Sequence, residues 1–198
     1  MSIRVLPSAD VDEGCELGEG TVVWHLAQVR EGACLGRGCV VGRGAYVGPG
    51  VRVGDSVKIQ NYALVYEPAR LGDGVFIGPA VVLTNDEYPR SVNPDGSLKS
   101  GADWEPVGVT VQEGASIGAH AVCVAPVTIG RWALVAAGSV VAADVPAFAL
   151  VAGVPARRRG WVGRAGVPLR RAGDGRWRCP VTSETFVEEA GTLKEERS

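Results

Sequence analysis

Residues 41–58 read VGRGAYVGPGVRVGDSVK, and the spacing within this stretch decides the fold. Val41, Val47 and Val53 stand six apart and each is followed by glycine, at 42, 48 and 54. Four places after each comes a small or β-branched residue: Ala45, Val51 and Val57. Toward the N-terminus the same frame takes in Leu35, Val29, Val23, Leu17, Val11 and Val5. Toward the C-terminus it runs through Ile59, Val65, Leu71, Ile77 and Leu83, breaks, and resumes at Val111, Ile117, Cys123, Ile129, Val135 and Val141. A helix turning every 3.6 residues cannot keep every sixth residue on one face. Plain strand alternation would not single out every sixth position. Short strands joined by glycine-rich corners do so, each six-residue unit forming one edge of a coil. A β-sandwich would instead need longer strands at intervals of about 8–12 residues. The expected fold is therefore all-β, a parallel β-helix over residues 1–145.

The composition agrees. The 198 residues (20.6 kDa) suit a single core, 46% are hydrophobic and only 6% aromatic, so that core must be aliphatic. Twenty basic against 22 acidic residues leave a net charge of −2, which argues against a global nucleic-acid or membrane-surface binder. No apolar run reaches the ~18 residues of a membrane helix. The start, MSIRVLPSAD, has no secretory hydrophobic region, so a cytoplasmic protein is expected. Five cysteines with no C-x-x-C spacing give neither a disulfide framework nor a zinc ribbon.

Two stretches depart from the repeat. Residues 84–108, TNDEYPRSVNPDGSLKSGADWEPVG, carry three prolines and three glycines and are expected to form one long loop. Loops of this length in compact domains are commonly functional, and Tyr88, Arg90 and Trp104 suit a flap that contacts a ligand. Residues 146–198 are expected to form an extension, a short helix or irregular chain ending in the acidic SETFVEEAGTLKEERS. Between Arg157 and Arg178 lie eight arginines and one acid, Asp174, a local cationic patch of the kind that suits phosphate oxygens.

The [LIV]-G-x-x-A-x pattern resembles the hexapeptide-repeat acyltransferases. The resemblance implies a left-handed parallel β-helix with three hexads, 18 residues, per coil, and homotrimers with sites between subunits. On that coil length, His25, Arg43 and Asn61 fall in one column and Glu67 and Asn85 in another, beside Tyr66 and Thr84. The segments VVWHLAQV, KIQNYALVYEPARLGDGVFIGP, LTNDEYPRS and ALVAGVPARRRGW further resemble the N-acetyltransferases of nucleotide-linked 3-amino sugars, with the UDP-2-acetamido-3-amino-2,3-dideoxyglucuronate enzymes nearest. What this resemblance implies is an acetyl-CoA-dependent N-acetyltransferase without a metal, acting on the C3 amino group of a nucleotide-linked amino sugar.

Such a reaction needs the amine held close, a destination for its proton, and donors for the developing oxyanion. The expected catalytic pair is Asn85 and Glu67, with Gln60, Asn61, Tyr66, Arg90 and His25 contacting the sugar nucleotide. Gly118, His120, Ala136, Gly138, Gly153, Arg157 and Arg158 are expected along acetyl-CoA. The alternatives are an O-acetyltransferase acting on a sugar or small hydroxyl acceptor, and a non-catalytic scaffold. A zinc carbonic anhydrase of the same fold needs three histidines per site, and the chain has only His25 and His120.

Overall fold

The structure, a computed structural model, describes residues 2–196. Residues 4–152 form a parallel β-solenoid with three faces. The first face carries Arg4–Val5, Val22–Val23, Val40–Val41, Lys58–Ile59, Phe76–Ile77, Ser116–Ile117, Leu134–Val135 and Ala149–Ala152. The second runs from Asp10–Val11 to Val140–Val141 and the third from Glu16–Leu17 to Val127–Ile129. Every neighbouring pair within these faces is parallel, and the register repeats at eighteen residues: Val5 opposite Val23, Val23 opposite Val41, Ile59 opposite Ile77. Three hexads therefore make one coil, consistent with the left-handed parallel β-helix expected.

The aliphatic position of each hexad points inward, as does the small one four places on. Val29, Val47, Val65 and Leu83 are fully buried, and so are Ala27, Ala63 and Val81. Alanine-sized residues beside the branched ones let three walls converge on a narrow axis at interior packing density. From Ile77 to Ile117 the register step is forty instead of eighteen, so 22 residues are inserted into one coil. The last coil is shorter than the others: Val135 pairs with Val151, sixteen residues on.

The inserted segment is a long loop, as expected, with local order inside it: Val92 bridges Leu98 antiparallel around a turn at 93–97, and a 3₁₀ turn, Gly101–Asp103, follows with Ser100 and Asp103 capping one another. One expectation changes. The C-terminal extension, expected as a short helix or irregular chain, is built of strands. Arg157–Trp161 pairs antiparallel with Ala149–Ala152, and Arg170–Gly173, Arg176–Arg178, Thr185–Glu189 and Thr192–Glu195 form a four-stranded antiparallel sheet. The reason is the open end of the solenoid. A final coil presents unpaired backbone and an apolar interior. Here Phe148, Trp161 and Phe186 close it, the Phe148 and Phe186 rings lying 5.2 Å apart nearly edge to face. Phe186 and Glu188 on one strand and Leu193 across the Gly191 turn share one face, a hairpin pattern that the acidic composition of the tail obscured.

Candidate active site

Three corners join the faces, and the expected site residues other than Arg157 and Arg158, which lie on the strand Arg157–Trp161, fall on two of them. The corner between the first and second faces carries His25, Gln60, Asn61, Gly118, His120, Ala136 and Gly138, stacked along one edge. Gly153 reaches the end of that edge. Its N–H donates to Ser139 Oγ at 3.2 Å and its carbonyl accepts from Val140 N at 3.0 Å. The corner between the second and third faces carries Tyr66, Glu67 and Asn85, and the inserted loop with Arg90 leaves from it. One side of the triangle separates the two groups. That side is six residues long, at most about 20 Å of extended chain.

On the first edge the coils approach closely. A Cβ on Gly118 would lie 2.5 Å from Ala137 N, so only glycine fits there. With Ala136 and Gly138 above, the edge stays shallow and its backbone reachable. His120 is exposed, its backbone in the left-handed region at φ 58° and its N–H bonded to Pro79 O. His25 Nδ1 lies 2.8 Å from Ser8 Oγ, several coils away from His120. Asn61 has structural work, its Oδ1 accepting the Arg43 N–H at 2.9 Å. Arg157 and Arg158 diverge. Arg157 is exposed and bonds the adjacent Ala156 carbonyl, while Arg158 lies over the Trp161 ring and pairs with Glu188 at 2.9 Å.

On the second edge the register Leu64–Val82 and Val65–Leu83 carries Tyr66 to Thr84 and Glu67 to Asn85, on adjoining coils. Thr84 Oγ1 accepts the Ala125 N–H at 2.9 Å, and Asn85 O accepts the Val107 N–H at 3.1 Å. Those bonds pin both ends of the loop beside Asn85. Glu67 Oε2 is buried without a hydrogen-bond partner among the described residues. The Tyr46 ring packs 5.3 Å from that of Tyr66, and burial, followed by the Glu67 carboxylate, pushes the Tyr46 hydroxyl pKa up. Tyr46 was not anticipated; its place eighteen residues before Leu64 was the available signal. Arg90, exposed on the loop, bonds the Pro89 carbonyl and does not reach Glu67 within the chain. No group of three metal-ligating side chains gathers among the described residues.

Residues 50–85 match the family model described as bacterial transferase hexapeptide (six repeats). That match lies within the six-residue repeat that runs through the whole solenoid. It is 56% identical over 52 residues to a dTDP-3-amino-3,6-dideoxy-alpha-D-galactopyranose 3-N-acetyltransferase from Aneurinibacillus thermoaerophilus, a match covering 26% of this chain and 27% of that protein. It is 41% identical over 85 residues to serine acetyltransferase from Escherichia coli K12, covering 42% of this chain and 30% of that one. The chain thus spans under a third of the length of these relatives. Among solved structures, PerB from Caulobacter crescentus, crystallised with CoA and GDP-perosamine, aligns over 81% of this chain and 58% of its own, at 28% identity and a TM-score of 0.51.

Proposed function

We propose that the protein is an acetyl-CoA-dependent N-acetyltransferase acting on the C3 amino group of a nucleotide-linked amino sugar. The observation that carries this reading is the buried, unpartnered Glu67 carboxylate oxygen beside Asn85, at the root of the one long loop that interrupts the solenoid. The local identity to a nucleotide-sugar 3-N-acetyltransferase and the likeness to PerB with its bound CoA and GDP-perosamine support it.

In this reading Asn85 and Glu67 hold the sugar amine. The neutral nitrogen attacks the thioester carbonyl carbon, so a C–N bond forms and the carbonyl electrons move onto oxygen. Backbone N–H groups near Gly118 and Ala136 meet that oxygen. The amine proton passes to Glu67 Oε2, the C–S bond breaks, and the departing thiolate takes the proton to leave as the thiol, regenerating the carboxylate. Gln60, Asn61, Tyr66, Arg90 and His25 contact the sugar nucleotide, and Gly138, Gly153, His120, Arg157 and Arg158 lie along the CoA. Because the two groups occupy different edges, the site is completed by a second copy of the chain in a homotrimer. The outward positions of the first and second faces fit such contacts: Val22, Val40 and Phe76 on one, Leu64, Val82 and Val122 on the other, all half-buried apolar side chains.

Thiol release from acetyl-CoA with UDP-, dTDP- and GDP-linked 3-amino and 4-amino sugars tests the proposal. Turnover restricted to 3-amino sugars supports it, and turnover of none of the panel defeats it. Serine acetyltransferase identity favours a second reading, O-acetylation. A hydroxyl, unlike an amine, is a poor nucleophile until it loses its proton, and it needs a stronger base than a carboxylate. The matched hydroxy sugar in the same assay discriminates the two.

A further inference from the structure

Four corners of the solenoid share one construction, and one of them has proline in place of the main-chain donor and glutamate in place of aspartate or asparagine. In Gly36-Arg37, Gly42-Arg43 and Gly54-Asp55 the glycine lets a side chain of the next coil settle against the backbone: Asp55, Asn61 and Asp73 respectively. In each case the side-chain oxygen accepts the N–H of the residue after the glycine. Arg37 N donates to Asp55 Oδ1 at 2.7 Å, Arg43 N to Asn61 Oδ1 at 2.9 Å, and Asp55 N to Asp73 Oδ1 at 2.8 Å. The fourth corner is Gly48-Pro49, with Glu67 above it. Glu67 Oε2 comes against the Cβ position of Gly48, as its counterparts do against their glycines. Proline has no N–H to give. The oxygen that would be satisfied at the other corners is instead buried and bare.

We propose that Pro49 is a positioning residue, which by withholding an N–H keeps Glu67 Oε2 free to receive the proton of the attacking amine. The inference rests on the reading of Glu67 as proton acceptor given above. A carboxylate that accepts backbone N–H bonds is stabilised in its charged form and made a weaker base. Asp55 illustrates this: the Arg37 N–H, then the Arg37 side chain, hold its carboxyl below the usual carboxylate range. The other groups about Glu67 are Tyr46 on the preceding coil, which Arg30 and Glu31 reach in turn from the coil before that, Tyr66 on its own coil, and Asn85 above. Among them, the residue at 49 is where its neighbours at other corners supply a main-chain donor. Those corners carry Arg37, Arg43 and Asp55 at the corresponding position, so the geometry accepts a non-proline residue there.

The test is the full-length protein with Pro49→Ala, and Pro49→Gly as a second route to the same N–H should the first fail to fold. The carboxyl carbon of Glu67, labelled with ¹³C and identified by its disappearance in Glu67→Gln, is titrated by NMR. With the N–H restored its midpoint moves to lower pH, and the acidic limb of the kcat/KM profile moves with it. A midpoint unchanged in a folded variant overturns the role of Pro49 whatever the activity. A midpoint that moves while the pH profile stays in place, together with wild-type turnover by Glu67→Gln, instead overturns Glu67 as the proton acceptor.

Discussion

Glu67 and Asn85 occupy successive coils two positions beyond the paired Val65 and Leu83, and their proposed roles separate under mutation. Glu67→Gln keeps the volume and removes the proton acceptor. Its kcat/KM is expected to fall about 10²-fold, the low end of what a positioned base contributes, with its circular dichroism unchanged. Asn85→Ala removes a group that orients the amine; kcat is expected to fall about tenfold or more while KM changes little. Steady-state kinetics against the preferred amino sugar check both, and wild-type turnover by either variant removes that residue from the mechanism. The eighteen-residue spacing made this pairing legible, since it needs only the coil length. Burial of one carboxylate oxygen was not legible, because it depends on how the Glu67 side chain folds down onto Gly48.

At the scale of elements, the C-terminal sheet is fastened to the solenoid by a polar cluster beside an aromatic plug. Glu188 accepts from Arg158 at 2.9 Å and from Trp177 Nε1 at 2.9 Å. The Arg158 bond, working against partial burial, holds the Glu188 carboxyl below its ordinary range. A depressed carboxyl contributes stability above its unfolded pKa, about 4.3, and loses it as pH falls through the lower native value. Wild-type protein is therefore expected to lose more melting temperature between pH 5 and pH 3 than Glu188→Gln does, as thermal melts followed by tryptophan fluorescence would record. This segment was misjudged from sequence because its charge suggested a solvated tail. The strands exist because the last coil of the solenoid needs a lid, a requirement that no window of local sequence expresses. The order inside the inserted loop is the opposite case: Asn93 to Gly96 is a turn signal, and the bridge of Val92 to Leu98 that the turn allows is local.

The whole molecule divides its proposed site between two edges, and that division is testable. If a second-edge Glu67 works with a first-edge Gly118 and Ala136 from another copy, two dead variants should rescue one another. Co-expressed Glu67→Gln and Ala136→Leu chains are expected to form mixed oligomers that regain a substantial share of activity, while each alone has little. Light scattering should give close to three times the 20.6 kDa chain mass. A monomer of full activity, or mixed oligomers no more active than either parent, would refute a site shared between copies.

By itself the sequence determined the solenoid, the length of core it builds, the place where the loop enters and the columns in which polar side chains stack. The solenoid and the entry of the loop follow from a repeat of six, because a short-range period repeated along the chain leaves little freedom in how the coils are laid down; the columns follow once the resemblance supplies three hexads per coil. Tertiary structure alone decided which columns share an edge, which acceptors are satisfied by main-chain donors and which is left bare, and how the open end is closed. Each of those depends on atoms brought together from different coils, where a proline in one coil changes what a glutamate eighteen residues later has to bond.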